Sequence, residues 1–130
     1  MADVFLFPLA QIQPSQLYIN AAKLVRVLAW WQPALLETLE PVPIKLLDSR
    51  VIYTDGHTRA FAAYRQGFTE IPVVWDEDDL DWDAYRICVD WCLDEGIRTI
   101  ADLEGRVIAP EQYEILWRDR CRVMQEALAQ

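Results

Sequence analysis

The chain has 130 residues, 53% hydrophobic and 25% charged, which suits one domain with a buried core and excludes a disordered chain. Its 12 Lys and Arg against 21 Asp and Glu give a net charge of -9, a balance that repels phosphate backbones and argues against nucleic-acid binding through bulk electrostatics. No apolar run approaches the roughly 18 residues of a membrane span, and Met1-Ala2-Asp3-Val4-Phe5 shows no basic leader pattern, so a soluble, cytoplasmic, acidic protein is expected. Phe5 to Ile12 alternates loosely and reads as an edge strand interrupted by Pro8. Pro14-Ser15 opens a turn, and Asn20 is placed to cap a helix from Ala21 to Trp31. Leu24, Val27, Leu28 and Trp31 recur at helical spacing along one face of it, and Pro33 stops it. Gln32 to Pro41 carries no clear pattern.

Val42 to Leu47 and Val51 to Thr54, two β-branched runs around Asp48-Ser49-Arg50, predict a hairpin. A helix follows from about His57 to Gln66, with Ala60, Ala63 and Tyr64 inward and Gly67 at its end. Ile71 to Trp75 reads as a third strand. The rest is helical. Ala84, Ile87, Cys88, Trp91 and Cys92 form an apolar face that ends at Gly96, and Thr99 with Asp102 matches a capping box for a short helix that stops at Gly105. Pro110 opens a last helix with Tyr113, Trp117, Cys121, Met124 and Leu128 on its buried stripe. The expectation is a single small α+β domain over 1–130: a short mixed sheet with helices packed on it over 5–76, then an added helical segment over 80–130. The six tryptophans spread along the chain, as core anchors would, and the odd count of three cysteines argues for reduced thiols.

Chemistry points to Thr54-Asp55-Gly56-His57-Thr58-Arg59. A strand runs into Asp-Gly and a helix starts at once, which aims free backbone N–H groups and a positive helix end at one place, an anion site. Gly56 admits a phosphate close to the backbone. Thr58 offers a hydroxyl donor, and Arg59 in the first turn offers a bidentate guanidinium. Asp55 and His57, the sole histidine, are the candidate catalytic residues, with Asp55 also a candidate for holding Mg²⁺. The bland reading is an Asp-Gly turn, a Thr cap and a surface arginine. The acidic run Asp76 to Asp83 lacks the spacing of a Ca²⁺ loop and reads as a solvated helix start, or as a wall suited to a cationic amine. Cys88 and Cys92, four apart on one helix face, could join Cys121 as thiolate metal ligands with His57 as the sole fourth ligand, but both spacings match buried helix positions and core packing is the favoured reading.

Ile52-Tyr53-Thr54-Asp55-Gly56-His57-Thr58-Arg59-Ala60, followed by Ala62-Ala63-Tyr64, Gly67 and Ile71-Pro72-Val73, resembles the ParB/sulfiredoxin-like superfamily. Its members share a strand, a G-x-x-R turn, a helix, a Gly and an Ile-Pro-Val strand. Ile12-Gln13-Pro14 and Val42-Pro43-Ile44 resemble the opening and second strands, so the likeness runs over about residues 5 to 76. Sulfiredoxins carry a catalytic cysteine directly before a His-Arg pair, which is absent here. The chromosome-partitioning branch shows Gly-Glu-Arg-Arg and a DNA-binding domain for which this chain has no room. Asp-Gly-His-His-Arg of the nucleotide-dependent free serine kinases is the nearest pattern, and Asp55 to Arg59 departs from it only at Thr58.

That resemblance implies a nucleotide-binding phosphotransferase acting on a small hydroxylated metabolite. ATP or ADP with Mg²⁺ would be bound at Gly56, His57, Thr58 and Arg59, and Asp55 would serve the transfer. Kinase-type members also place a catalytic Glu near the first helix. Here Tyr18 to Lys23 holds no carboxylate, and Glu37 and Glu40 are the nearest replacements. The alternative is a non-catalytic nucleotide-binding regulatory module; nuclease activity ranks below both. Nucleotide and a small-molecule substrate are the expected partners, with a second copy or a protein partner left open.

Overall fold

A computed structural model describes residues 3–130. Strand β1 (Phe5–Pro8) is followed by a 3-10 turn, the two-residue β2 (Ile19–Asn20) and helix α1 (Ala21–Trp30). Then come β3 (Val42–Leu47), β4 (Arg50–Tyr53), α2 (His57–Arg65) and β5 (Glu70–Trp75). Helix α3 (Trp82–Asp94), β6 (Val107–Ile108), α4 (Pro110–Tyr113) and α5 (Asp119–Leu128) complete the chain. The fold is α+β, as the order of the sequence patterns implies.

Four strands form one sheet in the order β1-β5-β3-β4, with β5 parallel to β3 and the outer pairs antiparallel. Pro8 is tolerated because β1 is an edge strand. Helix α2 crosses from β4 to β5 and packs against α1 and β3. Buried Ala60, Phe61, Ala62 and Ala63 meet Ile44, Ile71 and Val73 in the main core. The β3–β4 turn puts Asp48 and Ser49 at positive φ, the geometry of a tight two-residue hairpin. Gln13 extends the sheet beyond β4: its N–H donates to the Val51 carbonyl at 2.7 Å, and its carbonyl accepts from the Tyr53 N–H at 3.2 Å. A second, two-stranded parallel sheet joins β2 to β6 and ties the C-terminal helices to the start of α1.

Helix α1 begins where the cap rule puts it. The Asn20 carboxamide oxygen accepts from the N–H groups of Ala22 at 2.9 Å and Lys23 at 3.3 Å. Asn20→Ala is expected to cost about 1 kcal/mol, read as a fall of about 3–5 °C in the thermal midpoint. Trp31 lies just past the helix, 1% exposed, and its indole N–H donates to the Leu35 carbonyl at 2.9 Å and the Thr38 hydroxyl at 3.2 Å. That anchor shapes the patternless segment after α1 and fixes where Glu40 emerges.

Three expectations need correction. The tryptophans are not uniformly core: Trp31 and Trp117 are buried, but Trp30 is 52% and Trp75 44% exposed. The last helix is not regular, because a π turn over Glu114–Arg118 separates α4 from α5. The turn widens the helix and shifts its later face, and the chain continues past the core it covers, so Leu128 is exposed. Among the described residues, no helix is long and apolar enough to cross a membrane.

Candidate functional site

Strand β4 ends at a rigid post. The Thr54 hydroxyl donates to the Asp76 carboxylate at 2.6 Å, and the Thr54 carbonyl accepts from the Tyr85 hydroxyl at 2.7 Å. The acidic run beyond β5 is therefore partly structural: Asp76 grips β4, and Asp81 caps α3 by accepting from the Ala84 N–H at 3.2 Å. Asp55 then leads into Gly56, which at φ +77° turns the chain into α2. The Arg59 guanidinium folds back over this glycine, so closely that a Cβ there would lie 2.7 Å from Nη2.

The two ends of the motif face different ways. Asp55 is exposed, and its carboxylate accepts from the Gly56 N–H at 2.8 Å, which removes one of the N–H groups expected to face an anion. His57, Thr58 and Arg59 open the helix, so their N–H groups have no intrahelical acceptor. Arg59 is mostly buried, with Nε unpartnered, and its Nη1 lies 2.8 Å from the exposed carboxylate of Glu40. Glu37 lines a separate apolar groove near β1 and stays away from the motif.

His57 is 5% exposed and packs on the Tyr53 ring at 4.9 Å. Its Nε2 accepts from the Ser15 N–H at 3.0 Å, while the Ser15 hydroxyl donates to the Tyr53 carbonyl at 2.7 Å. With Nε2 used as an acceptor, the imidazole is neutral and its proton resides on Nδ1. Burial drives the His57 pKa down to about 3; the Asp55 charge opposes this and the Lys23 charge adds to it. At neutral pH the ring is a neutral, fixed spacer whose Nε2 is occupied by Ser15 and not free to take a proton.

Two cavities meet at this turn. The first, about 220 Å³, is lined by Lys23, Trp30, Glu40 and Asp55 to Arg59. The second, about 350 Å³, lies on the other side of Asp55 and His57, against α3 and the last helix, and includes Asp81, Tyr85, Cys88, Trp117 and Cys121. Gln16, Asp55 and His57 line both. The cations collect in the first; no Lys or Arg is among the described residues lining the second. Burial, then the nearby Asp55 and Asp76 charges, raise the Tyr85 pKa to about 12, so its hydroxyl stays protonated. Among the described residues no group of three His, Cys, Asp or Glu is arranged to hold a metal ion.

Asp55, Gly56, His57, Thr58 and Arg59 thus line one cavity together, and the structure adds Lys23, Glu40, Trp30, Ser15 and Gln16. Lys23 left a trace in the sequence: a cation in the first turn of a helix opposes the macrodipole, and α1 has no acid there to offset it. Glu40 and Ser15 reach the site only through tertiary structure.

No family model matches the chain, and no curated protein matches it. Its fold is similar to that of protein Atu1540 from Agrobacterium tumefaciens, with a TM-score of 0.50 and 14% identity, over 70% of this chain and 49% of that one. This chain spans about half the length of that protein, and at such low identity the likeness concerns the fold alone.

Proposed function

We propose that the protein is a phosphotransferase that binds ATP or ADP in the first cavity and a small hydroxylated metabolite in the second. One observation carries the reading: Lys23, Arg59 and the start of α2 converge on one cavity, while Asp55 stands on the wall shared with a neighbour that has no lining cation among the described residues. Phosphates would sit against the N–H groups of Thr58 and Arg59, with the Arg59 guanidinium and the Lys23 ammonium neutralising their charge. Trp30, half exposed at the cavity edge, offers a stacking face for a base. Phosphoryl transfer needs alignment and charge neutralisation more than covalent chemistry, and this cavity has the groups for both. Asp55 would accept the proton of an acceptor hydroxyl on the second side. Mg²⁺ would arrive with the nucleotide, whose phosphates would supply most of its ligands and Asp55 one carboxylate oxygen. The resemblance of residues 5 to 76 to the ParB/sulfiredoxin-like superfamily supports the same assignment.

A second reading is favoured by the Arg59–Glu40 ion pair. Glu40 already holds the clamp, and Asp55 is turned onto the Gly56 N–H, as suits a nucleotide-binding regulatory module without turnover. Calorimetry with ATP and ADP, followed by a transfer assay over a metabolite panel, separates the two. Arg59→Ala is expected to weaken nucleotide binding about ten- to a hundredfold, the worth of a charge-assisted phosphate contact. Asp55→Asn is expected to spare nucleotide binding and abolish transfer. Nucleotide binding without transfer to any metabolite selects the module, and wild-type affinity in Arg59→Ala removes the phosphate assignment from both.

A further inference from the structure

The second cavity contains a reactive pair that the transfer reading does not use. Cys88 on α3 and Cys121 on α5 both line it, where the two helices pack together, and each thiol shifts the other's titration. Cys88 is buried and Cys121 half-buried, so the solvent-facing partner is Cys121. Cys92 follows one turn along α3, fully buried and outside the cavity lining.

The pair is electrically asymmetric. The neighbouring Cys88 thiol lowers the Cys121 pKa; burial opposes this, and the Arg120 and Arg118 charges add to it. Arg120 is held in place over the Trp91 ring at 4.0 Å and lies 3.8 Å from Glu95. The same neighbour, followed by burial, raises Cys88. Cys121, the more accessible sulfur and the chain neighbour of Arg120, is placed to meet peroxide first, and the buried Cys88 is placed to resolve it.

We propose that Cys88 and Cys121 form a reversible disulfide that closes the second cavity by tying α3 to α5. The Cys121 thiolate attacks one oxygen of hydrogen peroxide, and the O–O bond breaks. Hydroxide leaves and takes a solvent proton to become water, and Cys121 becomes a sulfenic acid. The Cys88 sulfur then attacks the Cys121 sulfur. The S–O bond breaks, and the departing oxygen takes the Cys88 proton to leave as a second water. Two thiols lose two electrons, one peroxide becomes two waters, and a small dithiol reverses the bond by exchange. The disulfide itself stands on the two thiols alone; its effect on transfer rests on the second cavity being the acceptor site proposed above.

Hydrogen peroxide treatment of the full chain, followed by unfolding and maleimide labelling, tests the first half. The free-thiol count is expected to fall from three to one within each molecule, peptide mapping to join Cys88 to Cys121, and dithiothreitol to restore all three. Cys92→Ser is expected to form the same bond, and Cys121→Ser to form none; Cys88→Ala replaces the latter if it does not fold. Three thiols after treatment, sulfinic acid on Cys121 without a link, or a link between molecules would each overturn the proposal. For the second half, the oxidised protein is expected to bind ATP as the reduced protein does and to lose transfer at least tenfold. Equal transfer in both states overturns the closure. Absence of transfer in the reduced protein overturns the phosphotransferase reading and leaves the disulfide standing.

Discussion

Acidification from pH 7 to pH 4 is expected to destabilise the wild-type protein far more than a His57→Gln variant. Unfolded, the imidazole titrates near its ordinary 6.5; folded, it takes a proton only near 3. Between those values the unfolded chain carries one more proton than the folded chain, so stability falls as pH falls. The contribution is fully present above about pH 6.5 and declines by about 1.4 kcal/mol for each pH unit below it, on the order of 4–5 kcal/mol by pH 3. That loss is comparable to the whole stability of many domains, about 5–15 kcal/mol. The cause is local. A second ring proton would sit on Nε2, facing the Ser15 N–H at 3.0 Å, donor against donor, with the Tyr53 ring excluding water. The amide oxygen that His57→Gln introduces can accept from Ser15 without titrating, so the variant keeps the bond and loses the pH slope. Urea midpoints at pH 7, 6, 5 and 4 make the comparison. Parallel curves for the two proteins would mean that carboxylates alone govern the acid response and that His57 does not resist protonation.

What the sequence made legible here was what neighbouring residues encode. Asn20 stands directly before an apolar helical stripe, Asp48-Ser49 sits between β-branched runs, and Asp55-Gly56 joins a strand to a helix; each of those junctions is where the local chemistry puts it. The acidic run before α3 likewise contains its cap, Asp81. What escaped depends on residues far apart in the chain. Ser15 meets His57 across 42 residues, and nothing in Pro14-Ser15 signals that its N–H will determine which imidazole nitrogen holds the proton. Glu40 reaches Arg59 from a segment that the Trp31 indole ties down at Leu35 and Thr38, an arrangement set by burial and invisible to periodicity. The π turn arises within a run whose apolar spacing suits an ordinary helix just as well. The candidate turn was therefore readable and Lys23 left a faint trace as an unfavourable charge in the first turn of α1, but the counter-carboxylate and the division into two cavities were not readable.

Gly56→Ala is expected to destabilise the protein by about 1–2 kcal/mol, since φ +77° is a left-handed conformation that an L side chain adopts at a cost. It is also expected to reduce nucleotide affinity as far as Arg59→Ala does, for a separate reason. The new methyl would lie 2.7 Å from Arg59 Nη2 and 3.1 Å from Val42 Cγ1. Val42 is buried in β3 and has little room to yield, whereas the guanidinium is the loose end of a long side chain, so Arg59 swings away and the clamp opens. Gly105→Ala separates the two effects. Gly105 has φ +84° and nothing within 4 Å of its added Cβ, so it bears the same backbone penalty with no neighbour displaced. Both variants should melt lower than wild type, and only Gly56→Ala should bind ATP weakly. If Gly56→Ala binds ATP as tightly as Gly105→Ala does, the Arg59 guanidinium does not hold the nucleotide from its position over this turn, and the ion pair with Glu40 is its whole role.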